Sequence, residues 1–236
     1  MGRLADVVNR CHGVDVGEEQ ENLLMKDLHA IMHINETMNL TRILSEEGGM
    51  VLHLEDSLTG LPFVEAAPEG RYADLGTGGG FPGIPLCIMT GRDTLLVDSV
   101  QKKVRALKGV ADELGLSDKV DIYAGRIEDL AREHPGEFAV LTARALSALG
   151  SLLELASPLL KKGGRLVCYK AQPTDEEVAT ALGIQELVGM TLLERSDFTL
   201  SDGSTRCIFV FEKTAKPRIK LPRRIGLAQR DPLQPR

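Results

Sequence analysis

The sequence has no tryptophan, and phenylalanine and tyrosine together make up only 4% of its 236 residues. Proteins that grip unpaired nucleic acid mainly by stacking bases on aromatic rings need more of them. Phe81 and Tyr169 are among the few candidates here, and Phe81 is the better placed to pack on a cofactor. No run of about eighteen apolar residues occurs, so no membrane-spanning helix and no membrane partner are expected. Residues 1–10 lack the apolar stretch of a secretory leader, which leaves the cytoplasm as the expected location. The four cysteines, Cys11, Cys87, Cys168 and Cys207, stand far apart without a CxxC pair. That scatter argues against a zinc site and fits buried, reduced thiols. HExxH is absent as well, so no metal is expected.

Charge is unevenly spread. Residues 213–236 hold eight basic side chains (Lys213, Lys216, Arg218, Lys220, Arg223, Arg224, Arg230 and Arg236) against the single acid Asp231. A surplus of +7 at the end of a chain whose net charge is −6 leaves the preceding body at −13. An acidic body with a basic tail suits local contact with phosphates better than a footprint spread over the whole surface. A disordered solubilising tail is the competing reading.

Residues 72–83, Tyr-Ala-Asp-Leu-Gly-Thr-Gly-Gly-Gly-Phe-Pro-Gly, are the densest motif. A short apolar strand ends in a glycine turn, and Pro82 marks the first turn of a predicted helix. Glycines let the backbone approach a ligand closely, and a helix N-terminus adds free N–H groups. Two registers compete. Gly78, Gly80 and Gly83 match the GxGxxG of dinucleotide sites, with Asp98 about twenty residues on as the ribose acid. Asp74, Gly76, Gly78 and Gly80 match the acid-x-Gly-x-Gly-x-Gly of S-adenosylmethionine (SAM) sites. Asp74 favours SAM. A carboxylate beside a pyrophosphate is repulsive, whereas the sulfonium and amino groups of SAM are cationic and attracted to it.

Before this motif the chain reads as helical. Leu23, Leu24, Leu28, Ile31 and Ile34 fall at helical spacing, and a second helix is predicted over 44–58 after a turn at Asn39-Leu40-Thr41. On that helix His53 and Asp56 share a face three residues apart, placed to bond each other or bracket a common partner. After it, strands predicted over 71–75, 94–98, 120–123, 138–142 and 164–170 alternate with helices over 82–89, 100–114, 127–132, 148–160 and 175–182. Such alternation gives a parallel, doubly wound sheet whose ligands lie at the carboxyl ends of the strands, where Asp74 and Asp98 stand. Two final segments, 190–200 and 205–212, flank Ser201-Asp202-Gly203-Ser204 and predict an antiparallel hairpin. The expected fold is α/β: a Rossmann-like, mainly parallel seven-stranded sheet of the class I SAM-dependent methyltransferase type, ending in that hairpin. The expected division is a helical extension over 1–70, the SAM-binding domain over 71–213 and the basic tail over 214–236.

The motifs together resemble one family, the bacterial ribosomal RNA small subunit methyltransferase G proteins, also called glucose-inhibited division protein B. The resemblance rests on Asn39-Leu40-Thr41, His53-Leu54-Glu55-Asp56-Ser57-Leu58, residues 74–86, Leu96-Val97-Asp98-Ser99 with Lys102 and Lys103, and Gly125-Arg126-Ile127-Glu128. It continues through Ala143-Arg144-Ala145, Pro158-Leu159-Leu160-Lys161, Gly163-Gly164, Tyr169-Lys170 and Pro222-Arg223-Arg224-Ile225-Gly226 before Asp231-Pro232-Leu233. Two positions depart from the family pattern: Ile34 stands where a tryptophan is common, and Ala171 follows Lys170 where a glycine is common.

The resemblance implies SAM-dependent methylation of N7 of one guanine in the decoding-region loop of 16S rRNA, with the small ribosomal subunit as partner. It carries SAM contacts to Gly76, Phe81, Ile127, Glu128 and Arg144. Asp74 and Gly78 join them from the motif, and Asp98 is expected to hold the ribose hydroxyls. Arg126, Lys170, Arg223 and Arg224 are the expected RNA contacts, and Arg144 also has a positioning role in catalysis. A monomer is expected. The readings from other classes are an NAD-dependent oxidoreductase, resting on the overlaid GxGxxG, and a non-catalytic RNA-binding module on the same fold.

Overall fold

The computed structural model describes residues 3–235. Its centre is a seven-stranded sheet in the order β3-β2-β1-β4-β5-β7-β6. The strands are β1 (Tyr72–Leu75), β2 (Thr94–Asp98), β3 (Val120–Ala124), β4 (Phe138–Arg144), β5 (Leu160–Lys170), β6 (Met190–Thr199) and β7 (Thr205–Lys213). The first five pair in parallel, while β7 runs antiparallel to both β5 and β6. From β1 the chain proceeds outward to β2 and β3, then returns to place β4 on the other side. The switch point between β1 and β4 is where an open sheet of this kind leaves a crevice.

The helices are α1 (Leu4–His12), α2 (Glu18–Met38), α3 (Glu46–Gly49), α4 (Asp56–Leu58), α5 (Leu61–Glu65), α6 (Gly83–Thr90), α7 (Gln101–Glu113), α8 (Ile127–Glu133), α9 (Leu149–Ala156), α10 (Asp175–Ile184) and α11 (Leu227–Arg230). They cover both sheet faces. Alternate residues of the strands go to opposite sides. Tyr72, Leu96, Val140 and Val167 meet α2, α6 and α7 on one side, and Ala73, Leu75, Val97 and Leu141 meet α8 and α9 on the other. Near-continuous burial of β1, β2 and β4 follows from this double cover. The N-terminal helices belong to the first of these cores: Leu24, Leu28 and Ile31 of α2 are fully buried in it. Among the described residues no helix is long and apolar enough to cross a membrane, and no cluster of metal-ligating side chains occurs.

The structure departs from the sequence reading in several places. The helix predicted over 44–58 is interrupted: a π-helical turn, Met50–Glu55, links α3 to α4. Gly48-Gly49 before it weakens α-helix formation, and a π turn of this kind is common beside functional sites. Periodicity predicted neither α1, α5 nor α11, each nine residues or fewer. Cys11 is exposed, unlike the other three cysteines, because it lies on the outer face of α1, whose buried positions are Leu4, Val7 and Val8.

The C-terminal segment is ordered on the body of the protein. Lys213, counted by composition with the basic tail, ends β7 and is buried. Its Nζ donates to Ser157 Oγ and to Val188 O, and burial lowers its pKa to about 8. Arg218 pairs with Glu186 at 3.0 Å. Arg236 lies outside the described residues.

Candidate active site

The carboxyl ends of β1 to β4 open onto a cavity of about 380 Å³, within the usual range for small-molecule sites. Gly76, Gly78 and Phe81 of the glycine turn form its floor; Asp98 enters from the end of β2, Arg126, Ile127 and Glu128 follow β3, and Arg144 ends β4. The turn needs its glycines: φ is +71° at Gly76, +59° at Gly78 and +91° at Gly80, a region that side chains disfavour. Pro82 stands at the N-cap of α6.

Asp98 accepts hydrogen bonds from Gly78 N at 3.1 Å through Oδ2 and from Val100 N at 2.8 Å through Oδ1. These backbone donors fix the carboxylate and leave each oxygen acceptor capacity toward the cavity. A pair of vicinal hydroxyls fits such a group. The apolar walls, Val97, Phe81, Ile127, Leu146 and Leu155, fit a flat heterocycle and a thioether chain. The cavity therefore suits an adenosine carrying an amino-acid chain.

Asp74 is placed differently from the sequence reading. It is fully buried and stands outside the cavity wall. Its Oδ1 accepts from Thr142 Oγ1 at 2.6 Å, and its Oδ2 accepts from Gly83 N at 3.1 Å. Tyr72 and Asp74 share one face of β1, and Tyr72 OH lies 2.7 Å from the same Thr142 hydroxyl. Burial raises the Asp74 pKa, against the lowering effect of these donors. These bonds tie the end of β1 to β4 and to the first turn of α6, which closes the glycine turn.

A second cavity of about 420 Å³ adjoins the first and shares Arg144 and Ala145 with it. Ala145 has a φ of +53°, a strained value for a residue with a Cβ, and it turns the chain between the two spaces. Arg144 Nη1 donates to Leu52 O at 3.1 Å and to Asp56 Oδ2 at 2.9 Å. Arg206, on β7, pairs with the other oxygen of Asp56 at 3.2 Å. His53 lies flat on Phe81, ring centroids 4.4 Å apart and planes 4° from parallel. The Arg144 guanidinium lies 6.0 Å from the same Phe81 ring. His53 thus packs on Phe81, while Asp56 takes Arg144 and Arg206, so the two meet different partners. Burial, reinforced by the Arg144 charge, lowers the His53 pKa to about 4, so the imidazole is neutral at neutral pH. Its Nε2 lies 2.9 Å from Thr41 Oγ1.

The four residues expected to meet RNA divide. Arg126 is exposed at the rim of the first cavity, and Lys170 lines the second, where its Nζ pairs with Glu177 at 2.6 Å. Arg224 is exposed on the C-terminal segment. Arg223 turns inward onto Glu154, with Nε and Nη2 each 2.7 Å from a carboxylate oxygen, because a carboxylate buried on α9 requires a counter-charge. Tyr169 is a wall of the second cavity, nearly buried, with its hydroxyl donating to Ser57 O at 2.8 Å.

Sequence reasoning missed Thr142, Arg206, and the two residues Gly226 and Gln229 that also line the first cavity. Thr142 is the one hydroxyl in the apolar strand Phe-Ala-Val-Leu-Thr-Ala-Arg, a signal that was legible. Arg206 reaches the site only because β7 inserts between β5 and β6.

The family model for rRNA small subunit methyltransferase G matches residues 20–192. A ribosomal RNA small subunit methyltransferase G from Alkaliphilus metalliredigens is 36% identical over 225 residues, covering 94% of this chain and 93% of the relative. One from Deinococcus radiodurans is 38% identical over 226 residues, with 94% and 88% covered. In fold, the chain is similar to an O-methyltransferase from Bacillus cereus solved with SAH: TM-score 0.59, 14% identity, 89% of this chain and 97% of that one covered. That likeness shows the fold: this is the class I methyltransferase architecture.

Proposed function

The chain belongs to the rRNA small subunit methyltransferase G family, and from that premise we propose that it methylates N7 of one guanine in the decoding-region loop of 16S rRNA, using SAM. The observation that carries the reading is the meeting of two cavities at Arg144 and Ala145. One fits the cofactor. The other, walled by Arg144, Lys170 and Arg206, receives the target nucleotide.

SAM supplies a methyl group on a cationic sulfonium, and transfer requires a lone pair in line behind it. Asp98 holds the ribose hydroxyls, Phe81 and Ile127 pack on the adenosine, and the open backbone of Gly76 and Gly78 lets the amino-acid chain approach. Guanine N7 has a free lone pair and loses no proton on alkylation, so the reaction needs no general base. His53 accords with this: neutral and stacked on Phe81, it adds no positive charge beside the sulfonium. Arg144 and Arg206, both oriented by Asp56, hold guanine O6 or a flanking phosphate. A guanidinium bound to both O6 and N7 would mask the acceptor atom, so contact with O6 or phosphate alone is required. Lys170, Arg126 and Arg224 supply further phosphate contacts. Because one chain builds both cavities, a monomer is the proposed working unit, acting in the cytoplasm on the small subunit or its precursor.

Neither alternative is supported by the relatives. An NAD-dependent oxidoreductase would place pyrophosphate on the glycine turn, and a non-catalytic RNA-binding module has no use for the first cavity. The test separates the cavities: Arg206→Ala lowers kcat/KM for rRNA about tenfold or more while SAM binds in calorimetry as it does to the wild type. Equal rRNA methylation by that variant removes the second cavity from the account.

A further inference from the structure

One wall of the cofactor cavity comes from outside the parallel sheet. Gly226 and Gln229, in the C-terminal segment, face the cavity beside Ile127, Glu128 and Leu155. Several ties hold the segment there. Arg223 grips Glu154 at two points. Gly226 N donates to Glu128 Oε1 at 2.6 Å, and Ser151 Oγ donates to Ala228 O at 2.5 Å. The Ala228 side chain is itself buried in the core beneath α9. Glu154, Glu128 and Ser151 are all buried, so each anchor is set by the body of the protein. Gly226 has a φ of +78°, and a Cβ there would lie 2.7 Å from the Arg230 guanidinium, so only glycine makes this turn without strain.

We propose that this segment is a fixed strap that completes the cofactor site, and that Gln229 recognises the adenine ring of SAM. The proposal rests on the cofactor reading given above. Glu128, the acid that follows β3, already commits one carboxylate oxygen to Gly226, so the strap sits against the part of the cavity where Ile127 and Leu155 offer apolar surface for a ring. Gln229 is exposed at that rim. A carboxamide presents a donor and an acceptor side by side, which matches the amino group of adenine and an adjacent ring nitrogen. The inner face of the tail thus serves the cofactor, and only its outer cations, Arg224 among them, remain for RNA.

The experiment is calorimetric titration of the full-length protein with SAH and with S-inosylhomocysteine, in which oxygen replaces the adenine amino group. Gln229→Ala is expected to weaken SAH binding about tenfold and to shrink the preference for SAH over the inosyl analogue, with an unchanged melting temperature because the side chain is exposed. Asp98→Ala is the control for the cavity itself and is expected to lose binding of both ligands. If Asp98→Ala loses binding while Gln229→Ala keeps wild-type affinity and preference, the strap proposal fails and the cofactor reading stands. Wild-type protein that binds neither ligand overturns the cofactor reading first, and the proposal with it. Gln229→Ala that binds SAH normally but methylates rRNA poorly makes the segment an RNA contact and also overturns the proposal.

Discussion

Arg223 and Glu154 face each other through two hydrogen bonds of 2.7 Å, and the carboxylate is only 3% exposed. Charge counting assigns Arg223 to a basic surface. The structure makes it the counter-ion of a buried acid on α9, and thereby the anchor of the C-terminal segment.

Removing that counter-ion strands the carboxylate. Arg223→Ala is expected to lower stability by about 2–4 kcal/mol, read from urea unfolding. Adding Glu154→Leu is expected to restore part of the loss, since the uncompensated charge goes with it. An Arg223→Ala protein as stable as the wild type contradicts the assignment.

Thr142 and Asp74 form the other inward-facing tie. Thr142→Val removes a donor from a buried carboxylate and is expected to cost about 1–3 kcal/mol. It is also expected to weaken SAM binding, because Asp74 loses the donor that orients its carboxylate toward Gly83 N at the end of the glycine turn. Unchanged SAM affinity in a measurably destabilised variant would separate the tie from the site.

His53, its pKa lowered to about 4, links stability to acid. The unfolded chain takes up its proton near pH 6.5, while the folded protein resists until about pH 4. Its contribution to stability is therefore complete above pH 6.5 and declines as pH falls between these values. His53→Phe keeps an aromatic ring beside Phe81 and is expected to show a shallower loss of stability over that window. Identical pH profiles for the two proteins rule out a neutral, buried His53.

Asp27, on α2, is fully buried, and neither carboxylate oxygen has a hydrogen-bond partner. Burial holds its pKa well above the usual carboxylate range. The stability cost of ionising it is absent below about pH 4 and grows as pH rises toward the folded pKa. Asp27→Asn is expected to be more stable than the wild type at pH 8, by about 1–3 kcal/mol, with a smaller gain at pH 5. A gain independent of pH sinks this account.

The sheet was legible because its signals are local: apolar strands alternate with amphipathic helices, and Ser201-Asp202-Gly203-Ser204 marks the hairpin. The first cavity was legible for the same reason, since Gly76, Gly78, Phe81 and Asp98 lie on consecutive strand ends. Long-range pairing was the blind spot. Nothing near Arg223 points to Glu154, 69 residues away, and nothing near Arg206 points to Asp56. Asp74 shows the same limit: its place at a strand end is legible, but its partners, Thr142 on β4 and Gly83 on α6, lie on other elements.

The most direct measurement of the proposed activity is transfer of tritiated methyl from SAM to small-subunit rRNA by the purified protein, followed by borohydride and aniline cleavage at 7-methylguanine. The expected result is label and cleavage at one guanine of the decoding-region loop, both lost in Arg144→Ala. Label on rRNA without cleavage, or no label from protein that binds SAM, contradicts N7 methylation.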